Sequence, residues 1–207
     1  AATAPLSPTA ASTGPSPTGS PAPAPNLVFN GDAEAGAGAT TDDAVHNPPG
    51  WTVTGKLTAV RYGAQPGYLS VHDPAPPDRG ANYFAGGPGE PCSTAKETID
   101  LNKRGPAIDG GLVPYTLAAY LGGYQDQDDG ATVSLLWLDA DSKELGRAAV
   151  GPVLAFDREA RSGLRLRQVT GLVPAHTRLA EVVIKLARRE GSYNDAGVDG
   201  ISLRLTG

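Results

Sequence analysis

Apolar residues recur along this chain mostly at every second position, the spacing of strands buried on one face. In Glu181–Leu186 the side chains of Val182, Ile184 and Leu186 share a face, and Glu181 and Lys185 point the other way. Ile201, Leu203 and Leu205 alternate with Ser202 and Arg204, as Ile99 and Leu101 do with Thr98 and Asp100. Val113–Tyr124 and Ala131–Asp139 carry apolar residues on both faces, which predicts two central strands joined by the polar turn 125–130. Asp139–Lys143 reads as a hairpin turn leading into a strand over Glu144–Val150. About ten strands are expected, separated by breaks rich in Gly, Pro and Asp. One helix is expected, over Phe156–Arg161, cut short by Gly163. The pattern predicts an all-β fold, an antiparallel two-sheet β-sandwich of the jelly-roll kind.

Composition divides the chain in two. Residues 1–25 hold seven Pro and no charged side chain. Such a Pro/Ala/Ser/Thr-rich stretch has too little apolar surface to offset the entropy of ordering it, and reads as an extended linker or interaction arm. The β-sandwich domain is expected over 26–207. A start at Ala-Ala-Thr-Ala-Pro with no methionine in the chain reads as a secreted or cell-surface protein after loss of its leader. A net charge of −5 argues against nucleic acid and anionic membranes as partners. Arg161, Arg165, Arg167, Arg188 and Arg189 read as solvated strand faces. The one cysteine, Cys92, falls in a Gly- and Pro-rich stretch read as a loop, and permits no internal disulfide.

Chemistry concentrates at the two ends of the domain. Asn26–Glu34 and Val198–Leu205 each read as a short apolar strand with an acid at its rim. A sandwich that pairs its first and last strands would gather Asp32, Glu34 and Asp199. Oxygen-rich corners of that kind hold calcium. The alternative is that these acids cap turns or pair with arginine. For a ligand site the candidates are Tyr120 and Tyr124, evenly spaced on one strand, with Gln125 and Asp126 just beyond, and Tyr193 and Asn194 in the loop before the last strand. Aromatic rings with amides and carboxylates suit sugar recognition. Trp51 and Trp137 are expected in the core. The dispersed His46, His72 and His176 match no catalytic motif, so no enzyme is expected.

The ordered motifs Asn26–Glu34, Pro49-Gly50-Trp51, Gly80–Gly87, Thr98–Leu101 and Val198–Leu203 resemble those of galactose-binding-like jelly rolls, the group that includes many non-catalytic carbohydrate-binding modules. The resemblance implies a secreted, non-catalytic module recognising carbohydrate or a cell-surface component. It also implies a structural calcium held by Glu34 and Asp199, with Asp32 contributing its backbone carbonyl. Gly200 stands where that group usually has a second Asp or Asn. The alternative is a structural or accessory subunit of an extracellular protein assembly that docks on a partner through residues 1–25. Neither reading includes membrane insertion.

Overall fold

A computed structural model describes residues 23–206; residues 1–22 of the expected arm lie outside the described residues. Ten strands form two five-stranded antiparallel sheets. The strands are β1 (Thr52–Thr54), β2 (Thr58–Arg61), β3 (Asn82–Pro88), β4 (Cys92–Asp100), β5 (Pro114–Gly123), β6 (Gly130–Leu138), β7 (Glu144–Val150), β8 (Gly163–Leu172), β9 (Leu179–Ala187) and β10 (Tyr193–Leu205). One sheet runs β1-β4-β9-β6-β7 and the other β2-β3-β10-β5-β8. Alternation decides the faces: Leu117, Ala119 and Leu121 of β5 and Val182, Ile184 and Leu186 of β9 all point into the interior. Trp137 packs edge-on to Tyr115 at 5.0 Å and Trp51 edge-on to Phe84 at 5.7 Å, so both tryptophans are core as expected. Among the described residues no helix is long and apolar enough to cross a membrane.

Three expectations are corrected. Phe156–Arg161 is not an α-helix; a 3-10 turn covers Phe156–Arg158, and the one α-helix among the described residues, α1, is the five-residue Gly105–Asp109. Cys92 is not in a loop but opens β4, exposed, opposite Ala187. Asn26–Glu34 is not a strand. It nevertheless lies against β10, because side chain replaces main chain: Asn26 Nδ2 donates to Ile201 O (3.0 Å) and Asn26 Oδ1 accepts from Leu203 N (2.9 Å). Leu27 N donates to Leu203 O (2.8 Å), and Ile201 N to Gly31 O (2.8 Å). A Cβ on Gly31 would stand 2.2 Å from Ile201 O, so this approach requires glycine.

β10 is the strand around which the sites are arranged. It pairs with β3 through Tyr193–Val198 and with β5 through Gly197–Leu205. Its register shifts twice, between Asn194 and Gly197 and between Asp199 and Ser202. Such bulges re-aim side chains. The outer face of its sheet is covered by the long connection 62–81, which builds a second apolar cluster around Tyr62, Tyr68, Leu69 and Tyr83.

Candidate functional site

Two polar sites flank the bulges of β10. At the second bulge Asp199 is almost fully buried, at 1% exposure. Its Oδ2 accepts from the Tyr62 hydroxyl (2.8 Å) and its Oδ1 from Gly200 N (2.6 Å). Gly200 takes φ +57° there, which answers why no second Asp occupies the position: a side chain would be strained and would press on Pro76 at 3.2 Å. Burial pushes the Asp199 carboxyl up to about 7, against the downward pull of its two hydrogen bonds, and the charges of Asp32 and Glu34 add to the rise. Asp199 thus feels the charges of both Asp32 and Glu34. Glu34 is anchored across the cleft, with Oε1 accepting from Ala81 N (2.8 Å) and Asn82 N (2.7 Å). Asp32 Oδ1 accepts from Glu34 N (3.3 Å). Among the described residues no three acidic, histidine or cysteine side chains gather as a metal cage.

At the first bulge lies a pocket of about 220 Å³. Its aromatic walls are Tyr68 from the covering connection, Tyr124 from the end of β5, and Tyr193 from the start of β10. Asp42 and Asp195 supply carboxylates, and Gln65 and Gln127 supply amides. The Tyr68 and Tyr193 rings stand 5.9 Å apart, and the Tyr68 hydroxyl donates to Thr41 O (2.7 Å). Gln127 Oε1 is buried and has no hydrogen-bond partner, and the buried Tyr193 hydroxyl faces the Tyr68 hydroxyl. Burial, and then the charge of Asp129, push the Asp195 carboxyl up to about 7.

Two buried side chains hold the loops that make this pocket. Asp129, fully buried, accepts from the N–H groups of Arg189 (2.5 Å), Glu190 (3.1 Å) and Asp195 (2.8 Å), tying the β9–β10 loop to the β5–β6 turn. Arg158, also fully buried, donates to the carbonyls of Gln125 (2.8 Å), Gln127 (2.9 Å) and Arg161.

Of the ligand candidates read from sequence, Tyr124 and Tyr193 meet in this pocket. Tyr120 shares the outer face with Tyr124 but lines a different depression, beside Asp32, Pro76 and Arg204. Gln125 is exposed and donates to the Tyr124 hydroxyl (3.0 Å), so it sits behind the ring; Asp126 is exposed beyond it. Asn194 is fully buried, with Nδ2 donating to Leu186 O (3.0 Å), and braces the fold instead of facing a ligand. Asp42, Gln65 and Tyr68 come from connections far away in the chain. No local pattern marks the two polar residues; Tyr68 is visible as a loop aromatic.

The open face of the other sheet offers a wider trough, about 590 Å³, lined by Ser134, Leu136, Arg147, Glu181 and Val183 with small residues between. None of its walls is aromatic, and Lys96 pairs with Glu181 nearby (3.0 Å). It offers no ring for a sugar to stack on.

No protein-family model matches this chain, and no curated protein matches it. Solved structures share its fold. The enzymatically active domain of tailspike protein 4 of bacteriophage CBA120 matches 87% of the chain at 14% identity with a TM-score of 0.51, and the chain spans 21% of that structure's length. TmCBM61, solved in complex with β-1,4-galactotriose, matches 88% of the chain and 98% of its own length at 14% identity, TM-score 0.49. The C-terminal family 22 carbohydrate-binding module of Clostridium thermocellum Xyn10B matches 78% of the chain and 89% of its own length at 10% identity, TM-score 0.42. At these identities the likeness is one of fold: a two-sheet antiparallel β-sandwich.

Proposed function

We propose that this domain is a non-catalytic carbohydrate-binding module whose site is the tyrosine pocket at the start of β10. One observation carries the reading: three tyrosines, Tyr68, Tyr124 and Tyr193, line one pocket together with the amides of Gln65 and Gln127 and the carboxylates of Asp42 and Asp195. Tyrosine rings beside amides and carboxylates give a pyranose both an apolar wall and hydrogen-bond partners. The Tyr124→Ala variant is expected to lose at least about ten-fold in affinity for β-1,4-linked oligosaccharides, about 1.4 kcal/mol, with its melting curve unchanged. Calorimetric titration against galactotetraose and cellotetraose measures this. Equal affinity in the variant would move the site elsewhere, and cleavage of the oligosaccharide during titration would reject a binding-only role.

A structural calcium at the corner of Asp32, Glu34 and Asp199 is the second part of the proposal. Its support is the charge that Asp32 and Glu34 direct at Asp199. Against it stand both oxygens of Asp199 and Oε1 of Glu34, already occupied by hydrogen bonds. A proton on Asp199 is the competing way to neutralise the corner, and the two differ in sign. A carboxyl raised from 3.8 to about 7 in the fold contributes stability that is complete below pH 4 and lost as pH rises to 7. The loss is roughly 1 kcal/mol per pH unit. A bound cation requires the ionised carboxylate, so its stabilisation grows with pH. Melting temperature from pH 4 to 7, with and without chelator, distinguishes them. Calcium is supported by a rising curve that chelator flattens and that Glu34→Ala makes insensitive. The proton is supported by a falling curve that Asp199→Asn flattens.

A further inference from the structure

We propose that the tyrosine pocket selects a carbohydrate bearing a free amino group, an amino sugar in its ammonium form. This rests on the carbohydrate reading above and narrows its substrate class. The walls are unbalanced in a definite direction. The lining carries two carboxylates, Asp42 and Asp195, and, among the described residues, no basic side chain, while the amides of Gln65 and Gln127 both donate and accept. A sugar hydroxyl brings one donor, whereas an ammonium brings three and no acceptor. Tyr68, Tyr124 and Tyr193 complete the argument, because the faces of aromatic rings attract cations.

The surroundings carry the same sign. Past Tyr193 and Asp42 the depression continues, as a second hollow of about 370 Å³, to Asp43, Pro88, Gly89 and Ser192. The two hollows, which share Asp42 and Tyr193, together hold three acids, Asp42, Asp43 and Asp195. Basic groups approach the second hollow: the Lys56 ammonium would stand 3.8 Å from a Cβ on Gly89, and Arg188 donates to Ser192 O (2.9 Å). Neither lines the pocket of Tyr124. The raised Asp195 carboxyl fits the same picture, since a buried acid without a counter-charge is relieved by a cation.

The test is calorimetric titration, at physiological salt, with β-1,4-linked glucosamine tetramer, its N-acetylated counterpart, cellotetraose and tetragalacturonate. The unacetylated tetramer is expected to bind about ten-fold or more tightly than the two neutral chains, and the acidic chain most weakly. Asp195→Asn should abolish the preference and keep the fold, because the neighbouring loops are held through its backbone N–H and not its carboxylate. Asp42→Asn, on an exposed residue, should reduce the preference independently, while Asp141→Asn, exposed in a remote turn, should leave it intact. A preference that survives in the Asp42→Asn/Asp195→Asn double variant, or that Asp141→Asn reduces as much, would show bulk charge attraction and overturn the proposal. Neutral chains binding as tightly as the glucosamine tetramer would overturn it while leaving the carbohydrate reading in place. If none of the four tetramers bound, the carbohydrate reading would fall with it.

Discussion

Arg158→Met should cost about 3–5 kcal/mol and lower the melting temperature by roughly 10 °C or more. The side chain is fully buried, and its guanidinium ties together the carbonyls of Gln125, Gln127 and Arg161. Burial lowers its pKa, but an arginine stays charged even so, and the carbonyl dipoles compensate that charge. Methionine keeps much of the volume and leaves those carbonyls without a donor. Arg158→Lys should recover part of the loss, since an ammonium can meet fewer of the carbonyls at once. The Gln127 carbonyl is one of the three, so oligosaccharide affinity should fall in the methionine variant even well below its melting point. A melting temperature within a degree or two of the parent protein would show that the strut is dispensable.

Asp129→Ala should have a similar cost, about 3–5 kcal/mol, through a different loss. It strands the N–H groups of Arg189, Glu190 and Asp195, which its carboxylate now satisfies. Asp129→Asn is the sharper probe. The amide retains one acceptor oxygen, so the fold should survive with a smaller loss, but the negative charge is gone. Because that charge helps to raise Asp195, the Asp195 carboxyl should titrate lower in the variant. Side-chain carbonyl NMR across pH 4–8 reads this directly. An unmoved Asp195 would mean that burial alone sets its titration.

The strands were legible where one face is apolar. Val182, Ile184 and Leu186, or Ile201, Leu203 and Leu205, announce their faces without any tertiary information. β4 was hidden at its start because Cys92–Lys96 contains a single apolar inward residue, Ala95, and the Gly- and Pro-rich lead-in looks like a loop. The opening segment was misread for the opposite reason. Leu27-Val28-Phe29 is apolar enough for a strand, but the Asn26 side chain makes the bonds a strand's backbone would make. The expected helix at Phe156–Arg161 shortened to a turn because Arg158 is drawn inward to three carbonyls. α1, which begins with Gly105-Pro106, carries residues that read as breakers, although proline is well suited to a first helical turn.

The site was legible by half. Tyr124 and Tyr193 border polar loops, and that juxtaposition is visible in the chain. Asp42 and Gln65 are ordinary loop residues until the stretch before β1 meets the connection 62–81, where the Tyr68 hydroxyl donates to Thr41 O. Asn194 misled because Asn-Asp between glycines is typical turn chemistry, whereas here its amide is turned inward to Leu186.

The pocket is a crevice among loop tips, and the broad open sheet face lacks rings. That shape sets what kind of material it can grip. A polysaccharide packed into a crystalline fibre presents flat ribbons, each shielded by its neighbours, and a ribbon cannot descend into a recess this narrow. Loose chains, frayed ends and hydrated gels can. On the carbohydrate reading proposed above, the expected targets are therefore amorphous, hydrated polysaccharide chains in preference to ordered fibres.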